Sequence, residues 1–124
     1  MGTPYEKSTR PWGTYEVLHE EAGLKVKKIT VRAGNRLSLQ KHSRREEFWT
    51  IIHGMGIITL GNVGPNGKIS CQTIAVIPGR QIHIPVNELH RIEATTEDIV
   101  FIESQKGDYL EEDDIVRIED DYER

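Results

Sequence analysis

The feature that most constrains the fold is a series of short apolar or β-branched runs between glycine-bearing turns, with no long helical period to compete. The runs are Leu24 to Arg32, Arg36 to His42, Glu47 to His53, Ile57 to Leu60, Ile69 to Ile77, Gln81 to Ile84, Leu89 to Ala94 and Ile99 to Glu103. Glycine marks the reversals between them, in Ala33 to Asn35, His53 to Gly56, Gly61 to Gly67 and Pro78 to Gly79, where a strand that turns back needs its freedom. About eight strands of this length predict an all-β sandwich or barrel, and the count fits a jelly roll. Residues 106–124 read differently, as an acidic tail that is irregular, forms short helical turns or stays extended. A length of 124 residues supports one core rather than two, so residues 1–124 are expected to be a single domain.

Strand alternation then groups the polar residues. Gln40 and His42 lie two apart in the run from Leu37 to His42, so both point to one face and Lys41 to the other. Glu47 opens the next run, and Ser43 to Glu46 leaves room for a bend that returns its carboxylate to the first two donors. His90 follows a turn at Pro85 to Glu88. Two imidazoles, a carboxylate and an amide oxygen form a set that suits one divalent ion: zinc first, with Mn, Co, Fe or Ni as alternatives, rather than Ca or Mg. Gln40 and His42 alone would more often be ordinary strand residues. The full four-residue pattern, with glycine at both ends of its first part, favours the ligand reading.

Composition narrows the setting. Charged residues are 29% of the chain and the net charge is −4, with acid concentrated in Glu111 to Asp114 and Glu119 to Glu123. No cluster of Lys and Arg interleaved with aromatics is present, so nucleic acid is not expected as a partner. The acidic run reads first as a solvated surface, although Asp113, Asp114, Asp120 and Asp121 form a second, weaker metal candidate. Cys71 is the sole cysteine, which excludes an intrachain disulfide and accords with a reducing compartment. Met1 to Glu6 carries no apolar signal core, and Glu6 does not fit a myristoylation pattern. No apolar stretch spans a bilayer. A cytoplasmic protein without membrane contact is the expectation.

These residues carry a family resemblance. Gly34, Gln40, His42, Glu47 and Gly54 have the spacing of the first cupin motif, with Gln in place of its first His; Gly79, Pro85 and His90 have that of the second. More narrowly, Arg10 to Gly13, Leu37 to His42, Arg45 to Trp49 and Glu112 to Tyr122 resemble the cupin domain of type II mannose-6-phosphate isomerases, here free-standing. The resemblance implies a cupin-type jelly-roll barrel. It also implies a metal-dependent aldose–ketose isomerisation of a sugar phosphate, mannose 6-phosphate to fructose 6-phosphate, with Gln40, His42, Glu47 and His90 holding the ion. Arg117, in the matching tail motif, is the first choice for the catalytic cation, because an arginine fork grips two oxygens at once. Ser38, Arg45 and Lys27 are the substrate-binding candidates, and Arg124 is a weaker one. The family usually has Gly at the position of Asn87, and histidines at Ser43, Arg44 and Phe48. Those departures bear on substrate choice and turnover, since no ligand is lost.

The proton-transfer base stays open at this level. Histidine is the natural type, but His53 lies six residues along the strand from Glu47, about 20 Å at roughly 3.3 Å per residue. His83 depends on which face of its strand is core, and His19 reads as a turn. Trp12 and Trp49 are expected to be core anchors rather than sugar platforms. Phe48, opposite in parity to Glu47, is assigned to packing or a subunit contact, and a homodimer is expected to hide exposed sheet edges. Two other functions compete with the isomerase: a cupin oxygenase, and a non-catalytic metal- or sugar-binding module.

Overall fold

The computed structural model describes residues 7–122; the Met1 to Glu6 stretch and Arg124 lie outside the described residues. The described chain is all-β, with strands β1 (Lys7–Arg10), β2 (Gly13–Glu21), β3 (Leu24–Val31), β4 (Leu39–Lys41), β5 (Arg45–His53), β6 (Gly56–Val63), β7 (Ile69–Val76), β8 (Gln81–Ile84), β9 (Leu89–Ala94), β10 (Ile99–Gly107) and β11 (Val116–Glu119). They form a six-stranded sheet in the order β1-β2-β3-β10-β5-β8 and a five-stranded sheet in the order β11-β4-β9-β6-β7. All pairings between named strands are antiparallel. Among the described residues no helix is long and apolar enough to cross a membrane.

Three regions depart from the sequence expectation, the first being Lys7–Arg10, a strand where none was expected. Gly13–Glu21 is a strand, so His19 lies in β2 rather than in a turn; its side chain bonds Glu21 at 2.7 Å. That segment lacks apolar alternation because most of its side chains are half-buried or exposed. Pairing with β3 along nearly its whole length, from Gly13↔Val31 to Glu21↔Leu24, holds it instead. The tail is another: of the helical and extended alternatives left open for it, Val116–Glu119 takes the extended one and pairs as β11, with Arg117 opposite Gln40. β4 has only three residues and would otherwise end the sheet, and the tail covers that edge.

The inner face of the six-stranded sheet is divided along its length. Antiparallel register sets Ile29 beside Phe101 and Phe101 beside Ile51, with Val31 beside Ile99. Two residues further along, the same inward parity gives Lys27 beside Glu103 and Glu103 beside Trp49. The next row is Lys25, Gln105 and Glu47. One end of the barrel is therefore an apolar core, which includes Trp12, Trp49, Ile58, Ile92 and Phe101. At the other end, buried polar and charged groups face inward. Both tryptophans are buried in the core as expected.

Two turn residues bear on the motifs. Gly54 has φ +87° and a Cβ there would sit 2.2 Å from the Asp98 carbonyl oxygen, so no other residue fits the start of the β5–β6 turn. Asn87, where the family usually has Gly, adopts φ 68°. Asparagine is among the few side chains that tolerate this left-handed conformation, which explains why the substitution leaves the turn before His90 intact.

Candidate metal centre

Four residues expected at one point come from both sheets. Gln40 on β4 pairs directly with His90 on β9, His42 follows β4, and Glu47 faces them from β5. Ligand atoms of His42, Glu47 and His90 lie within 4.8 Å of one another, and all three side chains are buried. The His42 Nε2 to Glu47 Oε2 distance is 3.3 Å, and His90 Nε2 lies 3.7 Å from Glu47 Oε1. No second group of three His, Cys, Asp or Glu of this kind occurs among the described residues.

The second layer of contacts fixes how these groups present themselves. His42 Nδ1 donates to the Asp114 carbonyl at 2.6 Å and His90 Nδ1 to the Glu88 carbonyl at 2.9 Å. Both Nε2 lone pairs are thereby left to face Glu47, the tautomer a metal requires. Burial lowers the pKa of each ring to about 4, helped at His42 by the Arg45 guanidinium. Both are therefore neutral at pH 7. His90 Nε2 is buried without a hydrogen-bond partner among the described residues. A buried lone pair left unpaired is costly unless something binds it, and a divalent ion is a fitting occupant.

Glu47 is held as firmly. Trp49 Nε1 donates to its Oε1 at 3.0 Å and Arg45 Nε to its Oε2 at 2.9 Å. Arg45 Nη2 also donates to His42 Nε2 at 3.3 Å, a contact that an ion taking that lone pair would replace. Ser38 Oγ donates to Gln40 Oε1 at 2.6 Å, and the amide nitrogen of Gln40 faces His42 at 3.4 Å. Ligation by the Gln40 oxygen thus requires the amide to turn over, with Ser38 then accepting from its nitrogen. With that one rotation, the residues present fit a metal.

A cavity opens beside this cluster, lined by Gln40 and His42 and by four cations, Arg10, Lys27, Arg45 and Arg117. Two carboxylates, Glu103 and Glu112, also line it, together with Tyr15, Gln105 and Ile115. Arg117 is exposed and enters from the rim, in no ion pair among the described residues. Lys27 is buried, bonded to Glu112, with its ammonium 4.3 Å from the centre of the Tyr15 ring. Burial pushes the Glu112 carboxyl up, but the charge and hydrogen bond of Lys27 outweigh it and the pKa is lowered. Ser38 does not line the cavity; its hydroxyl is engaged by Gln40.

The remaining histidines lie elsewhere. His53 is exposed at the far end of β5, and His83 points outward, bonded to Glu46 at 2.8 Å and stacked on Phe48. The acidic tail is not merely a solvated face. Asp114 accepts from the backbone and hydroxyl of Ser43 and from the Arg44 backbone, while Asp121 takes Arg36 in two hydrogen bonds. Sequence reasoning missed Arg10, Tyr15, Glu103, Gln105 and Glu112 as cavity residues. Parity was the available signal for Glu103 and Gln105, which continue the inward series begun by Ile99 and Phe101.

Comparison with known proteins agrees with this architecture. Residues 3–120 match the family model described as Mannose-6-phosphate isomerase C-terminal. The chain is 36% identical over 123 residues to the Xanthan biosynthesis protein XanB of Xanthomonas campestris pv. campestris, covering 98% of this chain and 24% of that protein. It is also 36% identical over 116 residues to the Alginate biosynthesis protein AlgA of Pseudomonas aeruginosa, and to Mannose-1-phosphate guanylyltransferase ManC of Salmonella typhimurium. In both cases 93% of this chain is covered but only 22% of the relative. The chain thus spans about a quarter of the length of these curated relatives. Among solved structures, the capsular polysaccharide assembling protein CapF of Staphylococcus aureus superposes with TM-score 0.78 at 19% identity, over 95% of this chain and 35% of CapF. Oxalate decarboxylase of Lactobacillus farciminis superposes with TM-score 0.75 at 15% identity, over 92% of this chain and 33% of that one. At such identities the likeness is one of fold, the cupin jelly roll. The match across residues 3–120 shows that the chain belongs to the mannose-6-phosphate isomerase C-terminal family of cupin domains.

Proposed function

We propose that this chain is a metal-dependent aldose–ketose isomerase of a sugar phosphate, converting mannose 6-phosphate to fructose 6-phosphate. The observation that carries this reading is one cavity lined both by metal-site residues and by Arg10, Lys27, Arg45 and Arg117. Four cations against two carboxylates favour an anionic ligand, and a phosphorylated sugar is one that also offers hydroxyls to an ion. Gln40, His42, Glu47 and His90 would hold one divalent ion, zinc first. When bound, it supplies positive charge against which negative charge can develop on the sugar oxygens.

The chain's own residues do the rest. Arg45, fixed by Glu47, keeps its Nη1 unpaired and buried at the cavity, a donor available to a sugar oxygen. Arg117, exposed and lining the same cavity, would meet the phosphate or the developing charge. Lys27, already engaged by Glu112, contributes field rather than a free hydrogen bond. Ser38 orients Gln40.

Metal-loaded protein incubated anaerobically with mannose 6-phosphate should yield fructose 6-phosphate. Arg117→Ala should keep its metal and lose turnover. Absence of product with every common divalent ion would sink the isomerase reading: oxygen uptake in air would point to an oxygenase, and binding without product to a non-catalytic module.

A further inference from the structure

Among the described residues, Glu47, Glu103 and Glu112 stand at the polar end of the barrel, and two of these carboxylates are matched to cations. Glu47 is bonded by Arg45, and Glu112 by Lys27. Glu103 differs. It is buried, lines the cavity, and takes its hydrogen bond from the neutral amide of Gln105 at 2.6 Å. Lys27, directly opposite it on β3, turns its ammonium to Glu112 instead. On its other side Glu103 is a diagonal neighbour of Glu47, whose direct partner is Gln105. Such neighbours lie about 7–8 Å apart along the backbone, near enough to share a small substrate, and Glu103 is not among the clustered ligand atoms of His42, Glu47 and His90. The Gln105 Oε1 atom is itself buried and unpartnered among the described residues.

We infer that Glu103 is the catalytic base of this site, taking a proton from one sugar carbon and returning it to the next. This inference rests on the isomerase reading. The Glu103 carboxylate removes the C2 proton of open-chain mannose 6-phosphate; the C–H pair becomes the C1–C2 double bond, and the carbonyl π pair moves to O1. The hydroxyl proton on O2 passes to O1. The O2 pair then forms the C2 carbonyl, and the C1–C2 π pair takes the proton from Glu103 at C1. Fructose 6-phosphate leaves with Glu103 again ionised, so atoms and charge balance without a further reagent.

The environment of Glu103 suits a base. Burial, and next the charge of Glu47, raise its pKa to about 7, against the opposing pull of Lys27, Arg45 and the Gln105 hydrogen bond. A carboxylate whose pKa is raised by burial is a stronger base than a solvated one. No histidine outside the metal cluster lines the cavity.

The test compares metal-loaded wild type and Glu103→Gln by three readouts: bound metal, binding of mannose 6-phosphate followed by phosphorus NMR, and incorporation of solvent deuterium at sugar carbon. Glu103→Gln should keep metal and ligand while deuterium incorporation and isomerisation fall on the order of 100-fold or more. Glu103→Asp, which keeps the carboxylate, should recover part of the rate. Exchange at the wild-type rate in Glu103→Gln overturns the assignment. So does a loss accompanied by loss of metal or ligand, since the residue would then be structural. Wild type that neither exchanges nor isomerises removes the isomerase reading and this assignment with it. A wild type that turns over beside an unimpaired variant removes the assignment alone.

Discussion

The floor and the rim of the cavity are built on different principles. At the floor, His42, Glu47, His90 and Gln105 are buried: His42 and His90 donate to the Asp114 and Glu88 carbonyls, Glu47 accepts from Trp49 on the same strand, and Gln105 donates to Glu103. At the rim, the 108–122 segment brings Glu112, Ile115 and Arg117 to the opening. Its fasteners to the barrel include Arg36–Asp121, Arg44–Asp108 and Arg91–Glu119, each with at least one well-exposed partner. A buried charge that loses its partner costs about 3–5 kcal/mol, whereas an exposed pair contributes about 0–1 kcal/mol. The floor is therefore intolerant of change and suited to holding an ion. The rim's outer clips, Arg36–Asp121 and Arg44–Asp108, are replaceable at small cost to the fold, whereas Glu112 and Glu119 anchor it to the buried cations Lys27 and Arg91.

Three experiments sharpen or break that contrast. The largest effect is expected from Glu47→Gln: stoichiometric metal should be lost, and the metal-free protein should be destabilised by about 3 kcal/mol or more because Arg45 is left buried without a carboxylate. Full metal content by elemental analysis, together with an unchanged urea midpoint, would refute the distinction at its strongest point. Removal of residues 108–124 should come next. Buried Lys27 and Arg91 lose their carboxylates, so the urea midpoint should fall; His42 also loses its carbonyl partner, so chelator competition on the folded fraction should show metal affinity weaker by roughly 10–100-fold. Unchanged affinity would mean the rim has no part in the ion site. The smallest effect belongs to Arg36→Ala, which should lower stability by no more than about 1 kcal/mol. A larger shift in the urea midpoint would show that this exposed clip carries more of the fold than its geometry implies.

Alternation explains both what the sequence disclosed and what it hid. The convergence of Gln40, His42, Glu47 and His90 was legible because motif spacing and strand parity agree, and the parity of Arg45 put it on the face of Glu47, where it lies. His53 was rightly set aside by distance along the strand. Glu103 and Gln105 carried the parity signal but not the ligand spacing, and so were passed over. Polar residues continuing an inward series look like the solvent face of a strand unless the cross-strand neighbours are known, and Lys27 and Glu47 become their neighbours only after pairing. β2 and β11 escaped notice because their stability comes from partner strands and ion pairs rather than from an apolar stripe. The tail's acids read as a solvated run because charge alone does not reveal that Asp114 and Asp121 have dedicated donors.

The hydrogen bond from His42 Nδ1 to the Asp114 carbonyl joins two equilibria. Coupling between an ion site and a docked segment is reciprocal: whatever factor the tail adds to metal affinity, the metal adds to tail docking. With an ion in the proposed site, protease sensitivity around Asp108 to Asp114 would be a gauge of its occupancy, readable without any substrate.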